Sequence, residues 1–210
     1  FDHVLPAFAG AAGLMAISWM DDRRSRSARL RFGMQIVAVA VGLTALPANA
    51  LVFQGWLPFW PDRIVAAVGW LWFVNLFNFM DGIDGLAGSE AVSIGCGLAI
   101  VAVAAGLGFV PLWLALAAAG AAFGFLVWNW HPARVFMGDV GSVPLGFVLG
   151  WLLLATAASG QWVAALLVPS YFLADATFTL RISYGKVAGW TERGRTVPYQ
   201  TTVAGLFERA

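Results

Sequence analysis

The stretch Arg63-Ile-Val-Ala-Ala-Val-Gly-Trp-Leu-Trp-Phe-Val-Asn75-Leu-Phe-Asn78-Phe-Met80 runs straight into Asp81-Gly-Ile-Asp84-Gly-Leu. As a helix rising about 1.5 Å per residue, its apolar part is roughly 27 Å long, close to the hydrocarbon thickness of a bilayer. Asn75, Asn78 and Asp81 recur every third residue and share one helix face, so an apolar helix carries a polar stripe to its end. Such a stripe must face protein, water or a ligand. Gly82 and Gly85 then free the backbone to turn and to approach a ligand closely. Glycine caps at a helix end would explain the two glycines, but not two aspartates and two asparagines beside them.

The rest of the chain repeats the apolar theme. Of its 210 residues 60% are hydrophobic and 11% charged, and the mean hydropathy is +0.80; soluble domains carry about 25% charged residues. Runs long enough to cross a bilayer are Val4 to Met20, Phe32 to Phe53, Arg63 to Met80, Ala91 to Phe109, Val110 to Trp130, Val143 to Ala158 and Trp162 to Ile182. The expected fold is all-α: a polytopic transmembrane bundle of about seven spans, one integral membrane domain over residues 1–210, with a basic cytoplasmic tail at 181–210. If Asp21 to Arg31 is cytoplasmic, alternation puts every clustered Arg and Lys on that side and leaves only Arg63 on the other. Trp56 and Trp60 mark one membrane interface, and Trp128, Trp130 and Trp190 the other.

Gly120 with Gly124, and Gly146 with Gly150, are small residues four apart that suit close helix packing. The lone cysteine, Cys96, excludes an internal disulfide framework and is expected to be a small buried apolar residue. Twelve basic and 11 acidic residues nearly cancel, and no nucleic-acid partner is expected.

Six of the eight aspartates fall on one rim: Asp21, Asp22, Asp81, Asp84, Asp139 and Asp175. Ionisable residues at membrane depth are costly and usually functional. In Val135-Phe136-Met137-Gly138-Asp139-Val140-Gly141-Ser142, glycines flank Asp139, and Ser142 is placed to cap the next helix, whose N-terminus suits an anion. An aspartate beside a phosphate repels it unless a divalent cation bridges the two through oxygen ligands. The acidic rim therefore implies Mg²⁺ or Mn²⁺ if the substrate is a phosphate ester. The Asp21-Asp22 pair can supply a base or a metal ligand. Arg23, Arg24, Arg26, Arg29 and Arg31 after it are ordinary topogenic charges that also attract lipid phosphates.

In this order the pieces resemble the polyprenyl-phosphate N-acetylhexosamine-1-phosphate transferases. The matching segments are Asp21-Asp22, Asn75-x-x-Asn78-Phe-Met-Asp81-Gly-Ile-Asp84-Gly-Leu-Ala, Asn129 with Pro132-Ala-Arg-Val-Phe136-Met-Gly-Asp139-Val-Gly-Ser142, and Asp175 before a basic tail ending in Tyr199-Gln200. The wording leans towards the branch that primes O-antigen and teichoic acid synthesis. The resemblance implies a bacterial inner-membrane enzyme with its active site on the cytoplasmic face. There a polyprenyl (undecaprenyl) phosphate attacks the β-phosphorus of a UDP-N-acetylhexosamine and releases UMP, with Mg²⁺ or Mn²⁺ as cofactor.

It further implies that Asp139 binds the metal with support from Asp81, and that Asp21 and Asp22 activate or position the lipid phosphate. Gly82, Ile83, Asp84, Asn129 and Phe136 would contact the nucleoside, with Asn75 and Asn78 nearby. Family members have around ten or eleven membrane helices, so about three N-terminal helices are expected to be missing from this chain. A homodimer is compatible with the sequence.

One departure stands out. Relatives of the O-antigen branch carry paired histidines before Tyr-Gln, where this chain has Gly194 and Val197. Its histidines are His3 and His131; Arg193 and Arg195 are left to hold a diphosphate. The alternative from another class is an inactive paralogue that binds nucleotide-sugar or polyprenyl phosphate as a scaffold. An ion-coupled transporter fits less well, because its carboxylates would sit near the bilayer midplane.

Overall fold

The computed structural model describes residues 4–23, 27–178, 190–192 and 195–197. Among these residues there are eight α-helices: α1 (Leu5–Arg23), α2 (Ala28–Leu43), α3 (Phe59–Met80), α4 (Leu86–Ala104), α5 (Phe109–Asn129), α6 (Gly138–Thr156), α7 (Trp162–Leu167) and α8 (Ser170–Phe178). A π-type turn, Ala157–Gln161, joins α6 to α7 and breaks at Gly160 (φ 96°). The chain forms two compact units, Phe1–Thr177 and Phe178–Ala210.

Helices carry the first unit because in hydrocarbon a backbone must satisfy its own N–H and C=O groups. Its centre is the α3–α6 contact. Trp70 Nε1 donates to the Phe147 carbonyl at 2.9 Å, and the two rings stack with centroids 4.4 Å apart. This close approach depends on glycine: a Cβ at Gly150 would lie 2.4 Å from Trp70 Cδ1, and one at Gly146 3.0 Å from Phe77 Cβ. Gly42 of α2 and Gly10 of α1 meet the same aromatic pair, with virtual Cβ atoms 2.4 Å from Trp70 Cη2 and 2.8 Å from Phe147 Cζ. Helix α4 packs on α5 through Gly95, against Ala115 and Ala119.

The glycine expectation holds for Gly146 and Gly150 and fails for Gly120 and Gly124, which have open space where a Cβ would be. Alanines 115, 119 and 122 form the buried face of α5 instead. Cys96 also departs from expectation. It is exposed, because Gly95 and Ala99 of α4 turn inward and leave it on the outer surface.

The seven expected crossings are not all matched by spans of sufficient length. Among the described residues four stretches are long and apolar enough to cross a membrane: Phe59–Met80, Leu86–Ala104, Phe109–Asn129 and Gly138–Leu167. The second expected run breaks early because α2 ends at Leu43, and a loop over residues 44–58 folds back. Asp62, fully buried in the first turn of α3, pins that loop by accepting from Val52 N (3.1 Å) and Phe53 N (2.9 Å). Arg63, the one basic residue assigned to the opposite face, is buried; it donates to the Pro47 and Ala50 carbonyls at 2.9 and 3.0 Å.

The seventh run is split into α7 and α8, with Pro169 between them. It returns along α3, with Trp162 packed on Trp56 and Phe172 on Phe73 and Phe77. The first unit is an integral membrane bundle, with Trp56 and Trp60 exposed at one end and Trp128 and Trp130 at the other.

In the second unit, β1 (Trp190–Glu192) pairs antiparallel with β2 (Arg195–Val197), Trp190 opposite Val197 and Glu192 opposite Arg195. The helical reading did not anticipate this short hairpin.

Candidate active site

Helices α1 to α6 alternate in direction. That brings the end of α1, the start of α2, the end of α3, the end of α5 and the start of α6 to one rim. Sequence positions far apart meet there. Arg31 Nη1 lies 2.9 Å from Asp139 Oδ2 and 3.3 Å from Asp21 Oδ2, so one guanidinium nitrogen joins α1, α2 and α6. Asp139 stands in the first turn of α6, where the exposed N–H groups favour a negative charge. Gly138 before it has φ 62°, a conformation that glycine adopts without strain.

Asp81 follows the last turn of α3 and accepts a hydrogen bond from the Gly138 backbone. Its Oδ1 is buried and has no hydrogen-bond partner among the described residues. Burial, and secondarily the nearby Asp139 charge, push its carboxyl up to about 6 against the lowering effect of the Gly138 N–H. An unpartnered carboxylate oxygen beside a second carboxylate fits a divalent cation. Among the described residues no three His, Cys, Asp or Glu side chains are gathered to hold a metal by themselves, so water or substrate oxygens would complete such a shell.

The polar stripe of α3 faces this rim. Asn78 Oδ1 accepts from the buried Ser142 hydroxyl, which also lies 2.9 Å from the Gly138 carbonyl. Asn75 Nδ2 donates to Gln35 Oε1 at 2.8 Å. Arg31, Gln35, Asn75, Asn78 and Asp139 line a cavity of about 310 Å³ whose remaining wall is mainly apolar, from Leu14, Ile17, Phe32 and Val143. Ser142 does not cap α6 as expected, because that helix already begins at Gly138.

A second cluster lies beside the first. Asn129, 1% exposed, accepts from Gly85 N at 2.9 Å through Oδ1 and donates to the Val135 carbonyl at 2.9 Å through Nδ2. Both ends of its amide are engaged, so it ties the loop after α3 to the loop after α5. Asp84 adds a second tie: Oδ2 accepts from Ala133 N at 3.0 Å and lies 3.1 Å from His131 Nδ1. The Ala133 N–H, and secondarily His131, hold the Asp84 carboxyl below its usual range. Gly85 has φ 74°, whereas Gly82 needs no left-handed backbone. Gly82, Ile83 and Phe136 are exposed on the surface of these two loops.

The expected residues thus separate into a charged group (Asp21, Asp81, Asp139, with Asn75 and Asn78) and a loop group (Gly82, Ile83, Asp84, Asn129, Phe136). Asp22 is in the last turn of α1 and Arg195 in β2, both described by backbone alone; Arg193 lies outside the described residues, as does the Asp175 side chain. Sequence reasoning missed Arg31 as a site residue, since four nearby arginines, Arg23, Arg24, Arg26 and Arg29, carry the same charge and only the fold singles it out. It also missed Gln35. A polar residue inside the apolar run of α2 was the available signal.

The family model for glycosyl transferase family 4 matches residues 4–157, which contain every described member of both clusters. The chain belongs to this family. It is 31% identical over 186 residues, 81% of the chain, to a probable undecaprenyl-phosphate N-acetylglucosaminyl 1-phosphate transferase of Bacillus subtilis (strain 168), covering 50% of that relative. It is 35% identical over 130 residues to a phospho-N-acetylmuramoyl-pentapeptide-transferase of Moorella thermoacetica, covering 62% of the chain and 40% of the relative. A Streptococcus thermophilus protein of the same name is 39% identical over 114 residues, 54% of the chain and 33% of the relative. The chain therefore spans about half the length, or less, of these curated relatives.

A second model, Peptidase S46, matches residues 159–210, a quarter of the chain. That segment contains no histidine, since the two in the chain are His3 and His131, so it holds no Ser-His pair of its own.

Proposed function

We propose that this family member transfers N-acetylhexosamine 1-phosphate from a UDP-sugar to polyprenyl phosphate at the aspartate rim, in initiation of cell-envelope polysaccharide synthesis. The observation that carries the reading is the meeting of Asp21, Asp81 and Asp139 at one rim, where Asp139 lines a cavity with amide side chains on one wall and apolar side chains on the other. Phosphoryl transfer needs mainly positioning and charge neutralisation, which such a site can supply. An apolar furrow of about 210 Å³ between α1 and α2 shares Leu14 and Ile17 with that cavity, which suits a substrate with a phosphate head and a hydrocarbon tail.

Asp139 and Asp81 would hold Mg²⁺ or Mn²⁺, which when bound neutralises the diphosphate and aligns it for in-line displacement. Asp21, with Asp22, positions the attacking lipid phosphate oxygen. That oxygen forms a bond to the β-phosphorus of the UDP-sugar; the bond from this phosphorus to the bridging oxygen breaks, and UMP leaves with the electron pair. Ile83 and Phe136 offer exposed apolar surface for the uracil ring, on loops that Asn129 and Asp84 hold together. The site faces the cytoplasm of a bacterial inner membrane, where the UDP-sugar is available.

The nucleotide product tests this reading. Incubating the full-length protein in nanodiscs with polyprenyl phosphate, Mg²⁺ and a panel of UDP-N-acetylhexosamines should yield UMP. UDP as product would mean sugar transfer without its phosphate and would sink the reading; UDP-sugar binding with neither product would favour the scaffold.

A further inference from the structure

We infer that the Arg31 guanidinium and a divalent cation compete for Asp139, so that metal loading and rupture of the Arg31–Asp139 pair are a single exchange. The inference rests on the transferase reading only in taking Asp139 as a metal ligand. Arg31 Nη1 is 2.9 Å from Asp139 Oδ2 and 3.3 Å from Asp21 Oδ2. A hard cation binds a carboxylate oxygen at about 2.1 Å. With Arg31 in its present position, two cations would crowd one carboxylate and repel each other.

The surrounding groups make the exchange reversible. Among the described side chains, Asp21, Asp81 and Asp139 share this rim, and Arg31 pairs with Asp21 and Asp139. The remaining polar wall, from Gln35, Asn75 and Asn78, is uncharged. Without the Arg31 charge, the repulsion between the neighbouring Asp139 and Asp81 carboxylates would be less offset. The Arg31 side chain is 42% exposed and that of Asp139 32%, so the pair is wet enough to break, whereas Asp21, at 12%, is the better-sheltered anchor. Arg31 can thus let go of Asp139 while keeping Asp21. It is a positioning residue that acts on Asp139, and removing it should tighten metal binding. A brace that merely held the helices together would do the opposite when lost.

The test is a titration of the full-length protein in nanodiscs with Mn²⁺ alone, following free Mn²⁺ by electron paramagnetic resonance. Arg31→Gln should bind Mn²⁺ about two- to fivefold more tightly than the parent, the scale of a partly exposed ion pair. Arg31→Lys should fall between the two. Arg29→Gln, which removes the same charge from an exposed position on α2, should match the parent. Equal or weaker Mn²⁺ binding by an Arg31→Gln protein whose melting shows it folded overturns the exchange.

Asp139→Asn in the parent separates the two levels. If it abolishes Mn²⁺ binding while Arg31→Gln changes nothing, only the exchange fails. If it leaves Mn²⁺ binding intact, Asp139 is not the ligand, and both the site reading and the exchange fall.

Discussion

Asp81→Asn should stabilise the ligand-free protein at neutral pH. The Asp81 carboxyl is held at about 6, above the ordinary 3.8, chiefly by burial and next by Asp139. A carboxyl whose folded pKa is raised favours the folded state when both states are protonated. That contribution is lost as pH rises from about 4 through 6, and above the folded value the ionised group carries the full cost. A shift of about 2 units would correspond to about 3 kcal/mol. Asp81 is only partly buried and water screens it, so about 1–2 kcal/mol is expected. At about 2–4 °C per kcal/mol for a domain of this size, the variant should melt about 2–8 °C higher.

The assay is thermal melting of parent and variant in the same nanodiscs, without divalent cation, from about pH 4 to pH 8. The gap should be near zero at the acid end and open through pH 6. Adding Mn²⁺ should raise the melting of the parent and leave the variant little changed. A variant that melts at or below the parent at neutral pH would refute the reasoning, since burial would then not be what raises the Asp81 carboxyl.

Asn129→Ala removes both ties between the two loops and leaves Gly85 N and the Val135 carbonyl without their partner; melting should show a loss of about 1–3 kcal/mol, and calorimetry weaker UDP-sugar binding. Gly150→Ala drives a methyl into Trp70 and should destabilise by about 1–3 kcal/mol, whereas Gly120→Ala, with nothing near its Cβ, should melt like the parent. Gly85→Ala forces a side chain into left-handed backbone at a cost of about 1–2 kcal/mol, while Gly82→Ala should be tolerated in a melting assay.

The all-helical membrane bundle and its aspartate rim were legible because hydrocarbon demands long apolar runs and excludes stray carboxylates. The rim could be assembled from alternation alone, without knowing which helices touch. Packing was less legible. Gly146 and Gly150 meet α3 while Gly120 and Gly124 meet nothing among the described residues, and the spacing in the sequence is identical. Span length was misjudged where a local polar anchor outweighs apolarity: Asp62 and Arg63 capture the loop before α3 and cut the second run short. Arg31 was hidden for another reason. Charge patterns along a chain identify a basic stretch, but the choice of which arginine reaches Asp139, 108 positions away, belongs to the tertiary fold.

The most direct test of the central claim is mass analysis of the lipid extract after the full-length protein is given a UDP-N-acetylhexosamine, polyprenyl phosphate and Mg²⁺, in parallel with Asp139→Asn. The account expects a polyprenyl diphosphate N-acetylhexosamine from the parent, formed in step with UMP, and none from the variant. Unmodified lipid from a parent protein that is folded and binds the UDP-sugar would contradict it, as would an undiminished product from Asp139→Asn.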